Sequence, residues 1–214
     1  MPRVRIYVEG GGDEDATKAK VRSGFRDLFR EFEQWRVRPS VIACGSRGNA
    51  YRDFVTATGT HPDDFVVLLV DAERPVTLPP KEHLSERPDK SRNPNDPRDG
   101  WDLAVADDDQ IHLMVQAVEA WLIADPAAME KHFGPQFSSN ALPRRPNPED
   151  IPKEELKGSI DAAAKSTPKR GYSGTRDCPK ILGLVDPRVV RAKCSACRRL
   201  FDVISSVTGT PPLP

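Results

Sequence analysis

Along the first residues of the chain, Val4, Ile6 and Val8 alternate with Arg5 and Tyr7, the period of two that gives a β-strand one apolar face. This strand runs into Glu9, then into Gly10-Gly11-Gly12, which permit a tight turn, then into Asp13, Glu14 and Asp15. The period then lengthens. Val21, Phe25, Leu28, Phe29 and Phe32 recur at spacings of four and three, a helical stripe, with Lys18, Arg22, Arg26 and Arg30 on the other face. A second strand is predicted over residues 38–44, closed by Gly45-Ser46-Arg47-Gly48-Asn49, which caps a short helix through Tyr51, Phe54 and Val55. Phe65-Val66-Val67-Leu68-Leu69-Val70 is a continuous apolar run ending in Asp71-Ala72-Glu73, as expected of a central strand buried on both faces. Strand, helix, strand, helix, strand predicts an α/β domain with a largely parallel central sheet, flanked by helices and joined by right-handed crossovers.

Beyond Glu73 the pattern breaks. Residues 74–99 are crowded with proline and charge and nearly empty of apolar periodicity, which predicts a long loop or a mobile insertion. Order returns at Trp101, and residues 111–125 form a second apolar segment, a short strand passing into a helix, with Glu119 its only acid before Asp125. Residues 143–152 are another proline-rich connector. The last third is helical in pattern, with Cys194, Cys197, Leu200, Phe201 and Ile204 at threes and fours, and residues 208–214 read as a frayed tail. We expect a core over 1–135 with a proline-rich insertion near 74–100. Residues 136–214 then form a connector and a basic helical extension packed on that core.

Composition narrows the class. The 214 residues suit one domain, or one with an appendage, and of these 37% are hydrophobic. No apolar run approaches the roughly 18 residues of a membrane span, and the N-terminus has no secretory pattern, so a cytoplasmic protein that does not enter membranes is expected. Four cysteines in a chain of this length do not make a disulfide framework. The formal net charge is zero. Its distribution is uneven, because between Lys165 and Arg199 ten basic residues stand against two acids. An acidic front and a basic back suit a protein that holds cations at one place and phosphates at another.

In an open α/β sheet, functional groups gather outside the carboxyl ends of the strands. If the first and third strands are parallel, Glu9 and Asp71 emerge on one edge. Asp71 and Glu73, two residues apart, project to the same side of an extended chain. Carboxylates so close repel one another unless a cation neutralises them, and oxygen-only ligation suits Mg²⁺ or Mn²⁺. Acids also follow strands simply to cap helices or occupy turns. Glu119 sits among apolar residues, where an unpaired carboxylate is costly. If its segment were helical throughout, His112, Gln116 and Glu119 would share a face, and the alternative to a site there is a core network with Lys or Arg. The glycine run lacks the Gly-Lys-Ser/Thr ending of a P-loop and the spaced glycines of a dinucleotide fold. Cys194-Ser195-Ala196-Cys197 has zinc-ligand spacing, but both thiols fall on the apolar face of the last helix, where core packing is the better reading. The basic stretch with Tyr172, Arg176, Lys180, Arg198 and Arg199 could track a phosphate backbone with Tyr172 stacked on a base, or be a solvated surface.

Val8-Glu9-Gly10 and Val70-Asp71-Ala72-Glu73 resemble the Toprim fold of topoisomerases, primases and OLD-type nucleases. Residues 115–125, Gly171-Tyr172-Ser173 with Lys180, and Cys197-Arg198-Arg199-Leu200 extend the resemblance to the Toprim-like domain of unknown function family 4276, across almost the whole chain. That resemblance implies a Toprim-like Rossmannoid and a Mg²⁺- or Mn²⁺-dependent nuclease site acting on DNA or RNA. It also implies an ABC-type or AAA ATPase partner in bacterial anti-phage systems. Glu9 would be the strand-one acid, Asp71 and Glu73 the metal-binding pair, and Glu119 a further acid completing the cluster or orienting a water. Lys180, Arg198, Arg199 and Arg176 would engage phosphates. The usual Asp-x-Asp is here Asp71-x-Glu73. Two other readings stay open, a non-catalytic subunit that binds and targets an ATPase, and a metal-dependent nucleotide-hydrolysing enzyme, which should show a base-sized apolar pocket at the strand ends. Homo-oligomerisation is compatible with all three.

Overall fold

A computed structural model describes residues 2–93 and 95–211. Strand β1 (Val4–Val8) leads through the glycine turn to helix α1 (Asp15–Leu28), then a 3₁₀ turn (Arg30–Trp35) and strand β2 (Ser40–Ala43). Helix α2 (Arg47–Thr60) crosses to strand β3 (Phe65–Asp71), and a connector carrying the short helix α3 (Pro80–Ser85) reaches strand β4 (Ile111–Met114). The sheet order is β2-β1-β3-β4, with every pairing parallel. Helices α4 (Glu119–Ala124) and α5 (Pro126–Phe133) follow, then α6 (Lys153–Ala164), α7 (Cys178–Leu182), α8 (Pro187–Lys193) and α9 (Ser195–Thr208). The α/β architecture, its parallel central sheet flanked by helices and the helical C-terminal region are as the residue pattern predicts.

Strand β3 shows why its run has no polar face. Val67 and Leu69 enter the core beneath α1 and the C-terminal helices, while Val66, Leu68 and Val70 enter a second core beneath α2 and α3. The α1 stripe and the last helix meet in the first core, where Phe201 packs against Phe29 and Phe32 at ring distances of 5.3 and 5.4 Å. Cys194 and Cys197 lie in this core as free thiols, consistent with packing rather than ligation.

The structure changes several local expectations. Helix α2 is longer than its sparse apolar signal implied, and its cap is Ser46, whose hydroxyl accepts from the Asn49 N–H at 3.2 Å. Its buried face is Ala50, Phe54 and Ala57, and small residues hide a helical period. The described residues of the 74–99 connector are tied to the core and to one another. His83 is buried with its Nε2 3.0 Å from the Ala72 carbonyl, Arg74 pairs with Glu86, and Asp99 with Arg47. Ion pairs leave no hydrophobic period to read. Residues 111–125 are a short strand passing into a helix, as expected, and not helical throughout. His112 lies in β4, Gln116 in the turn after it, and Glu119 begins α4, so the three share no helical face. In the C-terminal tail, Thr208 and Thr210 are buried, and residues 212–214 lie outside the described residues.

Candidate metal centre

Chain topology dictates where the carboxylates meet. After β1 the chain steps to β2 on one side, then α2 carries it across to β3 on the other, so β1 and β3 flank the topological switch point of the sheet. Glu9 follows β1 and Asp71 ends β3 at that edge. One carboxylate oxygen from each of Glu9, Asp71 and Glu73 lies within 4.8 Å of the others. It is the one such cluster among the described residues.

Glu73 joins by a different route from the extended chain expected. Its φ is +64°, left-handed, while its N–H bonds the Gln116 carbonyl at 3.0 Å. For a residue with a Cβ this conformation costs on the order of 1–3 kcal/mol, and such strain is concentrated at functional sites. The glycine turn is not a phosphate cradle. Gly10 and Gly45 exchange backbone hydrogen bonds of 2.7 and 3.2 Å, and a Cβ on Gly45 would lie 2.5 Å from the Gly12 carbonyl oxygen.

Each acid has a counter-group. Arg47 Nη1 donates to Glu9 at 3.1 Å and to the Asp71 carbonyl, and its guanidinium forks onto Asp99 at 2.8 Å through both Nε and Nη2. The guanidinium also lies 5.0 Å from the centre of the Trp101 ring, which stacks on Tyr51. Lys153 Nζ, from the start of α6, is 2.5 Å from Glu73. Asp71 Oδ1 accepts from the Val118 N–H at 2.8 Å. The acids remain under-compensated. Burial, reinforced by Glu9 and Glu119, pushes the Asp71 carboxyl well above the usual carboxylate range. Burial also raises Glu9, against the opposing pull of Arg47.

Glu119 lies 2% exposed beside this cluster and outside the triad itself. Its Oε1 accepts from the Tyr172 hydroxyl at 3.0 Å and lies 3.8 Å from Lys157 Nζ. Its Oε2 is buried with no hydrogen-bond partner among the described residues. Glu9, Asp71 and Glu119 share the wall of a cavity of about 220 Å³ with Lys157 and with apolar side chains of α1, β4 and α7. The Lys partner that buried charges call for is present, together with a tyrosine. Tyr172 therefore points its hydroxyl at Glu119.

The expected phosphate contacts are not gathered in one place. Lys180 is exposed on α7, next to the cavity-lining Pro179. Arg176 pairs with Asp177 at 2.7 Å. Arg198 donates to the carbonyls of Arg191 and Ala192, and Arg199 to Ile111 and Asp108 at the amino end of β4, the sheet edge opposite the carboxylates. The cations that do face the site are Arg47, Lys153 and Lys157, none of which the reading of the sequence placed there. The one signal for the two lysines was their four-residue spacing ahead of Leu156 and Ile160.

Fold and site together define an α/β protein with an acidic cluster at the carboxyl edge of a parallel sheet. The family described as Domain of unknown function (DUF4276) matches residues 8–205, and the chain belongs to that family. No curated protein and no solved structure matches it significantly. Among the described residues, no helix is long and apolar enough to cross a membrane.

Proposed function

We propose that this protein is a Toprim-like nuclease dependent on Mg²⁺ or Mn²⁺, hydrolysing phosphodiester bonds of DNA or RNA in the cytoplasm. In this proposal, supported by the resemblance to the Toprim-like group, it is the effector subunit of an anti-phage system with an ABC-type or AAA ATPase partner. The observation that carries the reading is the convergence of Glu9, Asp71 and Glu73 within 4.8 Å. A hard divalent cation fits the oxygen-only donors and relieves the repulsion that raises the Glu9 and Asp71 carboxyls. Once bound, such an ion polarises a phosphoryl oxygen and lowers the pKa of water.

In this reading Glu9, Asp71 and Glu73 hold the ion. Lys153 and Lys157, four residues apart on α6, give the incoming phosphate positive charge as it displaces their pairings with Glu73 and Glu119. Lys180 extends that charge along the cavity mouth, while Arg176, Arg198 and Arg199 serve a more distant stretch of backbone. Glu119, held by Tyr172, accepts a hydrogen bond from water or substrate. A second reading, hydrolysis of mononucleotides, is favoured by the apolar cavity beside the acids.

The test is cleavage of plasmid DNA and of RNA with Mg²⁺ or Mn²⁺, with and without any ATPase that co-purifies with the protein. Wild type should cut and Glu9→Ala and Asp71→Ala should not. Equal cutting by the variants would remove the site, and release of phosphate from nucleotides with no cutting of polymer would select the second reading.

A further inference from the structure

The cavity beside the carboxylates has a mixed lining, in which Glu9, Asp71 and Glu119 bring carboxylates and Val21, Phe25, Met114, Val118 and Leu182 bring apolar surface. Its volume is about 220 Å³, whereas an apolar cavity of roughly 150 Å³ already takes benzene. The volume is enough for one heteroaromatic ring system, and the apolar lining includes aliphatic side chains and Phe25. The cavity is reachable from solvent, because Lys157, Gly174 and Thr175 on its wall are exposed.

Glu119 lines this space, and the atom that matters is its Oε2. It is a buried acceptor without a partner, and leaving such a group unsatisfied costs on the order of 1–3 kcal/mol, more when charged. A ligand N–H relieves that cost. Tyr172 already donates to Oε1, so Oε2 is the oxygen left to meet an amino group.

We propose that this cavity takes one nucleobase of the substrate, whose exocyclic amino group donates to Glu119 Oε2. The site thereby favours cytosine and adenine, which carry an amino group at C4 or C6, over uracil and thymine, which carry a carbonyl oxygen there and would turn it toward the carboxylate. The inference deepens the proposed function, and rests on it for the substrate being a nucleotide phosphate. In this arrangement the phosphate lies by the carboxylates and the base against the apolar lining. The selectivity itself needs no metal.

Cytidine and uridine test it, being nearly isosteric and differing at the amino group. Binding to the full-length protein is measured by calorimetry or by ligand-observed NMR in EDTA. It is then repeated with Mn²⁺ using the 5′-monophosphates, ribose 5-phosphate and short homopolymers. Cytidine should bind about 5- to 150-fold more tightly than uridine. Glu119→Gln, whose amide can turn to donate, should bring that ratio close to one, with a thermal melt reporting that the variant is folded. A preference that carries over from the nucleosides to the mononucleotides and homopolymers shows that the base is read in a free nucleotide and in a strand alike. Equal binding of cytidine and uridine by wild type, or of cytidine monophosphate and ribose 5-phosphate, overturns the proposal. Loss of Mn²⁺ binding alone would instead count against the proposed function.

Discussion

Replacing Arg47 by methionine removes a guanidinium while keeping much of its aliphatic stem. Arg47, Glu9 and Asp99 keep only 19%, 15% and 12% of their side-chain surface in contact with water, so two carboxylates lose their counter-charge at once. Breaking a fully buried pair costs about 3–5 kcal/mol. Residual solvent access at all three groups brings the expected loss to about 2–4 kcal/mol at neutral pH without metal. The same change should improve the site for a divalent ion. A unit charge roughly 5 Å from a bound divalent cation repels it by about 7 kcal/mol at an effective dielectric of 20. Screening reduces this, leaving a tightening of Mn²⁺ binding by at least about tenfold, and saturating Mn²⁺ should restore roughly 1.4 kcal/mol more to the variant than to wild type. Urea unfolding of both proteins in EDTA and in excess Mn²⁺ measures each quantity. A variant as stable as wild type in EDTA, or one less responsive to Mn²⁺, would refute the reasoning.

Three further outcomes are expected. Gly24→Ala places a methyl 2.4 Å from the Pro179 carbonyl oxygen, so α1 and α7 must part; a loss of about 1–3 kcal/mol in a urea titration is expected, and an unchanged midpoint would contradict the packing. His112 is held neutral by burial and by Arg199, its pKa lowered to about 3, against roughly 6.5 when unfolded. Its stability contribution is therefore complete above pH 6.5 and is lost as pH falls toward 3, by about 2 kcal/mol at pH 5. His112→Asn should remove that share of the difference in urea stability between pH 7.5 and pH 5, and an identical pH dependence would contradict it. Phe201→Ala should cost about 3–5 kcal/mol, since the ring is fully buried between Phe29, Phe32 and the Arg191 guanidinium. A calorimetric scan with separate transitions for sheet and C-terminal helices would instead show them to be independent.

The strands were legible because each carries its own periodicity, and with them came Glu9 and Asp71, which stand where apolar runs end. Glu73 was legible as a neighbour but not in its geometry, since only the folded chain reveals its left-handed backbone. The counter-groups left no local trace. Arg47 meets Glu9 and Asp99 across 38 and 52 residues, and Tyr172 meets Glu119 across 53. Such pairings are decided by how α2, α6 and the 74–99 connector pack, not by any spacing within them. The basic C-terminal stretch shows the same limit: Arg199 donates to the Ile111 carbonyl 88 residues away, and Arg198 to carbonyls of the neighbouring α8, pairings that a run of charge does not disclose.

The central claim is that Glu9, Asp71 and Glu73 together hold one divalent cation. Calorimetric titration of Mn²⁺ into wild type, Glu9→Gln, Asp71→Asn and Glu73→Gln, each checked for an intact fold by circular dichroism, tests it most directly. The account predicts a single binding event in wild type that each substitution weakens or abolishes. No binding by wild type, or binding unaffected by all three substitutions, would contradict it.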